Sequence, residues 1–334
     1  MGTVVLMLVS LVCAVLPMLT YLTVMWWLDR YEREPLWLVG LTFVWGAVGA
    51  VFLALIGNFI GHTSIGLLFG AETAELVAPV LVAPLVEEPT KALFLFLAVR
   101  SRAWDNMTDG FVYGAAAGLG FGMTENFLYF STVASSGDLI SWAGTVAIRT
   151  LYSALMHATA TSCVGAALGW AKTRRTAALL LALPVGFGVA MGMHGLWNGL
   201  LTWDAAAQMN GQLTVLDFAV FPVEFITVFI VYQLCLRSES RLIQRELTEE
   251  SASGLLPAAH VAMLASSTRR ATSGWLKPRV PRALYVQAAT RLAFRKAQLR
   301  AGRERSAASL EAEVQRLRAE ITGLLALGEG PRPT

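Results

Sequence analysis

The chain has 334 residues, of which 55% are hydrophobic and only 15% are charged. About a quarter of the residues in a globular domain are charged, so this composition excludes an ordinary water-soluble domain and indicates a polytopic membrane protein. The net charge of +3 conceals a segregation, because residues 1–237 hold 10 of the 26 lysines and arginines and residues 238–334 hold 16. We expect no nucleic-acid partner.

Seven apolar segments are long enough to cross the hydrocarbon core, which takes about 20 helical residues. They are residues 4–28, 36–60, 77–99, 110–130, 139–170, 176–201 and 215–236. The third segment contains Pro79, Pro84 and Pro89. Proline removes a backbone donor and kinks a helix, so we expect this segment to be bent or broken near Glu87 and Glu88.

The charges of the connecting loops predict the orientation. Lysine and arginine follow segments one, three, five and seven, whereas residues 61–76, 131–138 and 202–214 contain neither. Positive loops remain in the cytosol, which predicts seven transmembrane helices with the N-terminus outside and the C-terminus in the cytosol. The fold class is therefore an all-α polytopic membrane protein. Arg149 lies inside the fifth segment and needs a partner or a route to the membrane surface.

The C-terminal region differs in composition from the apolar part. We expect residues 1–237 to form the transmembrane catalytic domain, 238–308 a basic and partly disordered cytosolic linker, 309–327 a helix and 328–334 a disordered end. Apolar residues repeat with heptad spacing at Leu310, Val314, Leu317, Ile321 and Leu324. This seam predicts either a short coiled coil, for self-association or a partner, or an amphipathic helix on the membrane or the protein.

Glu87, Glu88 and Lys91 are ionisable groups within an apolar segment. Charge in hydrocarbon is costly, so such groups face the protein interior and are candidates for function. Lys91 lies three and four residues after the two glutamates, which predicts that it offsets their charge from the same helix face. Only one of two adjacent helical residues can face a given cavity, and we favour Glu88.

Three further segments carry polar side chains that could meet this pair. Glycines at 110, 114, 118 and 122 line one helix face, which allows close approach of a neighbouring helix, and the face continues to Glu125 and Asn126. His157 lies in the fifth segment, and His194 and Asn198 share one face of the sixth. At about 1.5 Å per residue, Glu88, Glu125, His157 and His194 lie roughly 18–28 Å from the cytosolic ends of their segments.

This constellation meets the needs of hydrolysis by an activated water: a carboxylate or histidine base, ligands for a metal, and donors for an oxyanion. Two other classes of function remain open. A proton-coupled transporter or channel also places carboxylates and histidines within the membrane. A catalytically inert scaffold could use the same groups structurally.

The chain resembles the PrsW family of intramembrane proteases, which is related to CAAX prenyl proteases and bacteriocin-processing membrane peptidases. The resemblance covers about residues 18–237. It rests on DRYEREP at 29–35, EEPTK at 87–91, DGFVYG at 109–114 followed by GF at 120–121 and EN at 125–126, His157, and HGLWN at 194–198.

The resemblance implies a multi-pass endopeptidase of the plasma membrane that cleaves a membrane-anchored protein, such as an anti-sigma factor. Glu87 or Glu88 would polarise the water, His157 would assist it or bind metal, and His194 with Asn198 would hold the oxyanion. Lys91, Glu125 and Asn126 would support these groups. A divalent metal such as zinc would take Glu88, His157 and His194 as ligands.

Overall fold

A computed structural model describes residues 2–101, 103–172, 174, 176–207, 212–301 and 307–329, and these residues form helices and turns without a strand. The first helices are α1 (Gly2–Leu28), α2 (Leu36–Val44), α3 (Val51–Phe69), α4 (Ala71–Val77), α5 (Ala83–Ala98), α6 (Met107–Ser136), α7 (Leu139–Ile148), α8 (Ala154–Lys172) and α9 (Thr176–Ala206). They are followed by α10 (Gln212–Ala252), α11 (Ala258–Leu264), α12 (Arg282–Ala301) and α13 (Ala307–Ala326). Wider π-helical turns at Trp45–Ala50, Ala78–Val82 and Arg149–Ser153 join α2 to α3, α4 to α5, and α7 to α8.

The predicted all-helical membrane protein is confirmed. Four helical stretches within the described residues are long and apolar enough to span a bilayer: Thr3–Leu28, Leu36–Phe69, Leu139–Lys172 and Ala177–Ala206. The other predicted spans, 77–99, 110–130 and 215–236, are also helical. The first of these carries Glu87, Glu88 and Lys91, and the second is rich in glycine, which lowers the hydropathy of both.

The proline-rich third segment is widened rather than broken. Its π-helical turn at Ala78–Val82 precedes the glutamates, whereas the sequence predicted the disturbance near Glu87 and Glu88 themselves. The difference has a steric reason, because a proline ring clashes with the carbonyl four residues earlier and so disturbs the preceding turn. Both glutamates lie in the regular helix α5.

The chain divides into two compact units, one of residues 1–28 with 34–232 and the other of residues 29–33 with 233–334. In the first unit, the glycine face of α6 packs directly against α8. A Cβ atom added at Gly110, Gly114 or Gly118 would overlap the α8 backbone near Gly165, Thr161 or His157, in that order. The predicted close approach along this face is therefore present, and it brings the backbone of His157 against α6.

The second unit contains helices where the sequence predicted a partly disordered linker over residues 238–308. Ile243 and Leu247 of α10 and Tyr285 and Leu292 of α12 belong to its buried hydrophobic core. Residues 238–308 contain 14 alanines, and these supply small residues of high helix propensity that pack closely. Residues 302–306 and 330–334 lie outside the described residues.

The heptad seam is helical, as predicted, and forms α13. Leu310, Val314, Leu317 and Ile321 are buried, and most of them join the core of the second unit. The seam is therefore covered by the chain's own helices, which agrees with the predicted alternative of an amphipathic helix on the protein rather than with a coiled-coil surface for self-association or a partner at 310–324. Burial is favoured because a single amphipathic helix of two heptads gains most by packing against the nearest apolar surface.

Candidate active site

The two adjacent glutamates of α5 have different surroundings. The Glu88 carboxylate is fully buried and lies 2.7 Å from Lys91 Nζ, 2.9 Å from His194 Nδ1 and 3.1 Å from the Thr161 hydroxyl. The Glu87 carboxylate instead accepts a hydrogen bond of 3.1 Å from the Asn58 amide and borders a cavity. Consecutive helical residues point about 100° apart, which separates the two carboxylates despite their adjacency.

Lys91 contacts more groups than a local counter-charge would. Its ammonium lies 2.7 Å from Glu88, 3.5 Å from Glu87 and 3.0 Å from His157 Nδ1. It also lies 4.1 Å from the centre of the Phe121 ring, a favourable cation–π distance. Lys91 is fully buried, so this one cation links the carboxylates of α5 to the imidazole of α8.

His157 lies between Lys91 and Glu125. Its Nε2 is 2.7 Å from the Glu125 carboxylate of α6. With the ammonium donating to Nδ1, the imidazole proton is on Nε2 and is donated to Glu125. The closeness of α6 and α8 makes this contact possible, because Gly122 lies beside the ring of His157 and one turn before Glu125.

Arg149, the arginine inside the fifth apolar segment, contacts three side chains. Its Nη2 lies 2.8 Å from Glu125, its Nε donates to Asn126 Oδ1 at 3.0 Å, and its guanidinium lies 3.7 Å from the centre of the Tyr129 ring. Asn126 is therefore a partner of Arg149 and not a direct neighbour of the histidines. The chain of contacts from Arg149 through Glu125 reaches His157.

His194 completes the cluster from α9. Its Nδ1 donates to Glu88 at 2.9 Å, which leaves the lone pair of Nε2 towards Glu87, 3.7 Å away. The His157 and His194 rings meet edge to face, with 5.0 Å between their centres. Asn198 lies one turn further on, and its amide donates to the Pro79 carbonyl at 2.9 Å. Asn198 therefore borders the same cavity but is engaged with the proline-rich turn.

Glu87, His157 and His194 could hold a metal ion, since one ligand atom from each lies within 4.8 Å of the others. The sequence predicted Glu88 in place of Glu87, but the Glu88 carboxylate is taken up by Lys91, Thr161 and His194. One carboxylate with two imidazoles is a donor set of catalytic zinc sites, and the Glu88 contact to His194 Nδ1 is the usual support for a metal-binding histidine. The donors fit a divalent ion once the Lys91 ammonium moves away from His157 Nδ1, which it contacts at 3.0 Å.

A cavity of about 570 Å³ lies beside these groups in the first unit. Its polar walls include Asn58, His62, Glu87, Glu125, Arg149 and Asn198, and its apolar walls include Leu55 and Phe121. Sequence reasoning missed Asn58, although an amide in the middle of the apolar segment 36–60 is a signal of a buried polar contact.

The geometry agrees with a comparison to known families. A family model described as the PrsW family of intramembrane metalloproteases matches residues 34–232. The chain belongs to the PrsW family. The match coincides with the larger segment of the first unit, so the residues that match the family and the candidate site lie in the same part of the fold.

Relatives named Protease PrsW support this assignment. The protein of Oceanobacillus iheyensis is 30% identical over 195 residues, which is 58% of this chain and 84% of the relative. The protein of Bacillus subtilis is 28% identical over 194 residues, or 58% of this chain and 81% of the relative. A shorter match to the protein of Clostridioides difficile is 33% identical over 109 residues, or 31% of this chain and 44% of the relative. No solved structure matches the chain. This member of the PrsW family is a membrane peptidase.

Proposed function

We propose that this chain hydrolyses peptide bonds of membrane-anchored proteins in the cavity beside Glu87. The observation that carries the proposal is the meeting of ionisable groups from α5, α6, α8 and α9 at one buried place in a PrsW-family fold. Carboxylates and imidazoles within hydrogen-bonding reach of one another can activate a water and transfer its protons.

Glu87 is the carboxylate that acts on the attacking water. It borders the cavity, whereas Glu88 is fully enclosed and holds His194. Asn58 fixes the orientation of Glu87 through its amide. On this assignment the two glutamates divide the work, with Glu87 acting on the water and Glu88 acting as a positioning residue.

Glu125 and Glu88 play similar positioning roles for the two histidines. Each carboxylate accepts the proton of one ring nitrogen, which fixes the orientation and the tautomer of the ring. Arg149 holds Glu125 in turn. His157 and His194 thereby face Glu87, and Asn198 remains a candidate donor to the oxyanion on the cavity wall.

Glu87, His157 and His194 are the proposed ligands of a divalent metal, with zinc as the first candidate. With an ion bound, Glu87 would act on the water by holding the ion that polarises it, and without one it would act on the water directly. A bound divalent ion would supply Lewis-acid activation of water at neutral pH. The family's description as metalloproteases and the donor set support this part of the proposal.

The proposed topology has seven spans, with the N-terminus outside and the C-terminus in the cytosol. The alternation of basic and uncharged loops supports it. The site residues then lie in the middle to outer part of the plasma membrane. This location favours a substrate cut near its extracytoplasmic side, such as a membrane-anchored anti-sigma factor.

The test is cleavage of a single-span substrate by the purified chain in liposomes. Glu87→Gln and His194→Ala should each reduce the rate at least 100-fold, because general acid–base groups contribute factors of this order. Glu72→Gln is the matched control, since Glu72 is an exposed glutamate on α4, which precedes α5 in the chain. Cleavage that persists in Glu87→Gln and His194→Ala would refute the proposed site.

The metal has a readout that is independent of activity. Elemental analysis of the purified protein should give about one zinc or other divalent ion per chain. Glu87→Gln and His157→Ala should lose it, whereas Glu72→Gln should retain it. If the wild-type chain holds no ion and a chelator leaves cleavage unchanged, the metal is rejected and Glu87 acts alone on the water.

A further inference from the structure

A second cavity, of about 560 Å³, lies wholly within the second unit and has no part in the candidate active site. One wall is formed by residues 29–33, which directly follow α1, and the other by residues from 267 to 291. The DRYEREP motif supplies the first wall, yet its residues 29–33 lie outside both the family match and the proposed catalysis. Residues 29–33 of this motif therefore line a cavity that is separate from the candidate active site.

The walls of this cavity carry an excess of positive charge. The charged lining residues are the arginines Arg30, Arg33, Arg270, Arg282 and Arg291 and the acids Asp29 and Glu32. Arg291 donates to Glu32 at 3.1 Å, so one acid is already neutralised by an arginine at the rim. Concave walls focus such a potential and attract anions.

Arg270 forms the inner part of the cavity and is only 7% exposed. Its Nη2 donates to the Thr290 hydroxyl at 2.7 Å, and its guanidinium lies 4.9 Å from the centre of the Tyr31 ring. Its Nη1 has no hydrogen-bond partner among the described residues. A buried guanidinium with an unmatched donor is costly unless an acceptor joins it, which points to an anionic ligand.

The electrostatic surroundings of Arg270 agree with this reading. Burial lowers the pKa of its guanidinium, and this effect exceeds the opposing influence of Tyr31, Glu239 and Asp29. The neighbouring acids therefore compensate only part of the cost of burying the charge. Tyr31 is itself fixed, because its hydroxyl donates to the Ala265 carbonyl at 2.7 Å.

We propose that this cavity binds a phosphate group of an anionic ligand. The several acceptor oxygens of a phosphate can meet Arg270 on the inner side and the exposed Arg282 and Arg291 at the rim. Two sources share this chemistry. One is the headgroup of an anionic phospholipid, since residues 29–33 continue from the apolar helix α1. The other is a free phosphorylated small molecule, for which the cavity has sufficient volume.

The experiment uses the full chain and two probes. Isothermal titration calorimetry with glycerol 3-phosphate in detergent measures the affinity for a soluble phosphorylated ligand. Native mass spectrometry after exchange into nanodiscs of phosphatidylglycerol or phosphatidylcholine measures the retained lipid. Binding of the soluble probe alone identifies a small-molecule site, and selective retention of phosphatidylglycerol identifies a lipid site. Both results support the phosphate site, and failure of both probes overturns it.

Variants test the location. Arg270→Gln should weaken binding of the effective probe about tenfold or more, the usual effect of losing a charge-assisted hydrogen bond. Arg270 is buried, so its replacement also alters the core of the second unit. The exposed rim variants Arg282→Gln and Arg291→Gln leave that core intact and test for the same loss of binding. Arg316→Gln is the matched control, since this arginine is 72% exposed in the same unit and lies outside the cavity. Equal weakening by Arg316→Gln would show general surface attraction and overturn the assignment.

Discussion

At the scale of single residues, Glu87 and Glu88 are adjacent in sequence and differ in role because a helix turns them apart. Glu88 is enclosed by Lys91, Thr161 and His194, whereas Glu87 faces Asn58 and the cavity. The sequence-based preference for Glu88 as the water-activating carboxylate rested on its slightly deeper position in the expected proline kink. The proposal now assigns that role to Glu87.

Arg149 provides a prediction at this scale. Arg149→Gln removes the ion pair that holds Glu125 against His157, and loss of such support usually costs 10–100-fold in activity. Arg149→Lys should retain part of the rate, since it keeps the charge but cannot contact Glu125 and Asn126 together. Liposome cleavage rates provide the measurement.

The control for Arg149 is Arg100→Gln, which changes an exposed arginine that donates to the Phe96 carbonyl. It should cleave at the wild-type rate. A normal rate in a folded Arg149→Gln protein would mean that Glu125 needs no such support and that Arg149 is purely structural.

At the scale of elements, the contact between α6 and α8 determines where His157 lies. Glycines on α6 allow the α8 backbone to approach within a distance that a methyl group would block. Glu125 continues this face, so the same contact that packs the helices also brings a carboxylate to the His157 ring. The glycine repeat is thus as necessary for the site as its ionisable groups.

Gly118→Ala tests this connection. The added Cβ would overlap the His157 carbonyl, and a helix backbone cannot yield as a side chain can. We expect a loss of about 1–3 kcal/mol in stability, seen as a lower unfolding temperature in detergent, together with reduced cleavage.

Gly144→Ala on α7 is the matched control, because its Cβ would meet no atom within 4 Å. Alanine is the better helix former, so this variant should be unchanged or slightly more stable. If Gly118→Ala behaved like Gly144→Ala, the close contact of α6 and α8 would be dispensable for the site.

At the scale of the whole molecule, the chain consists of two units with different contents. The first contains the family match and all the proposed catalytic groups, and the second contains the arginine-lined cavity and the heptad helix α13. This division allows a test between two hypotheses: a peptidase whose activity resides in the first unit, and a scaffold that acts through its C-terminal region.

Leu317→Asp tests that division. Leu317 is 2% exposed in the core of the second unit, and a buried unpaired charge there should make residues 233–329 sensitive to trypsin. Because the site lies in the other unit, cleavage of the single-span substrate should remain within about twofold of the wild-type rate. Arg316→Asp, at an exposed neighbouring position, should change neither property. A parallel loss of cleavage and protease resistance in Leu317→Asp would show that catalysis requires the second unit.

The sequence by itself determined the all-helical membrane class, the family and most of the polar groups that meet at the site. These features of a membrane protein can be predicted from sequence, because the length of an apolar segment, the periodicity of glycine and the presence of charge in an apolar segment are local properties of the chain. It also indicated that Arg149 needed a partner.

Only the tertiary structure decided which glutamate faces the cavity, that Asn58 joins it, that Lys91 reaches His157 and that Asn198 turns to Pro79. These outcomes depend on helix rotation and on neighbours distant in sequence, which no local pattern encodes. The helical packing of residues 238–301 and the burial of the heptad seam have the same cause. An apolar face gains stability from whichever surface covers it, and only the folded chain determines which surface that is.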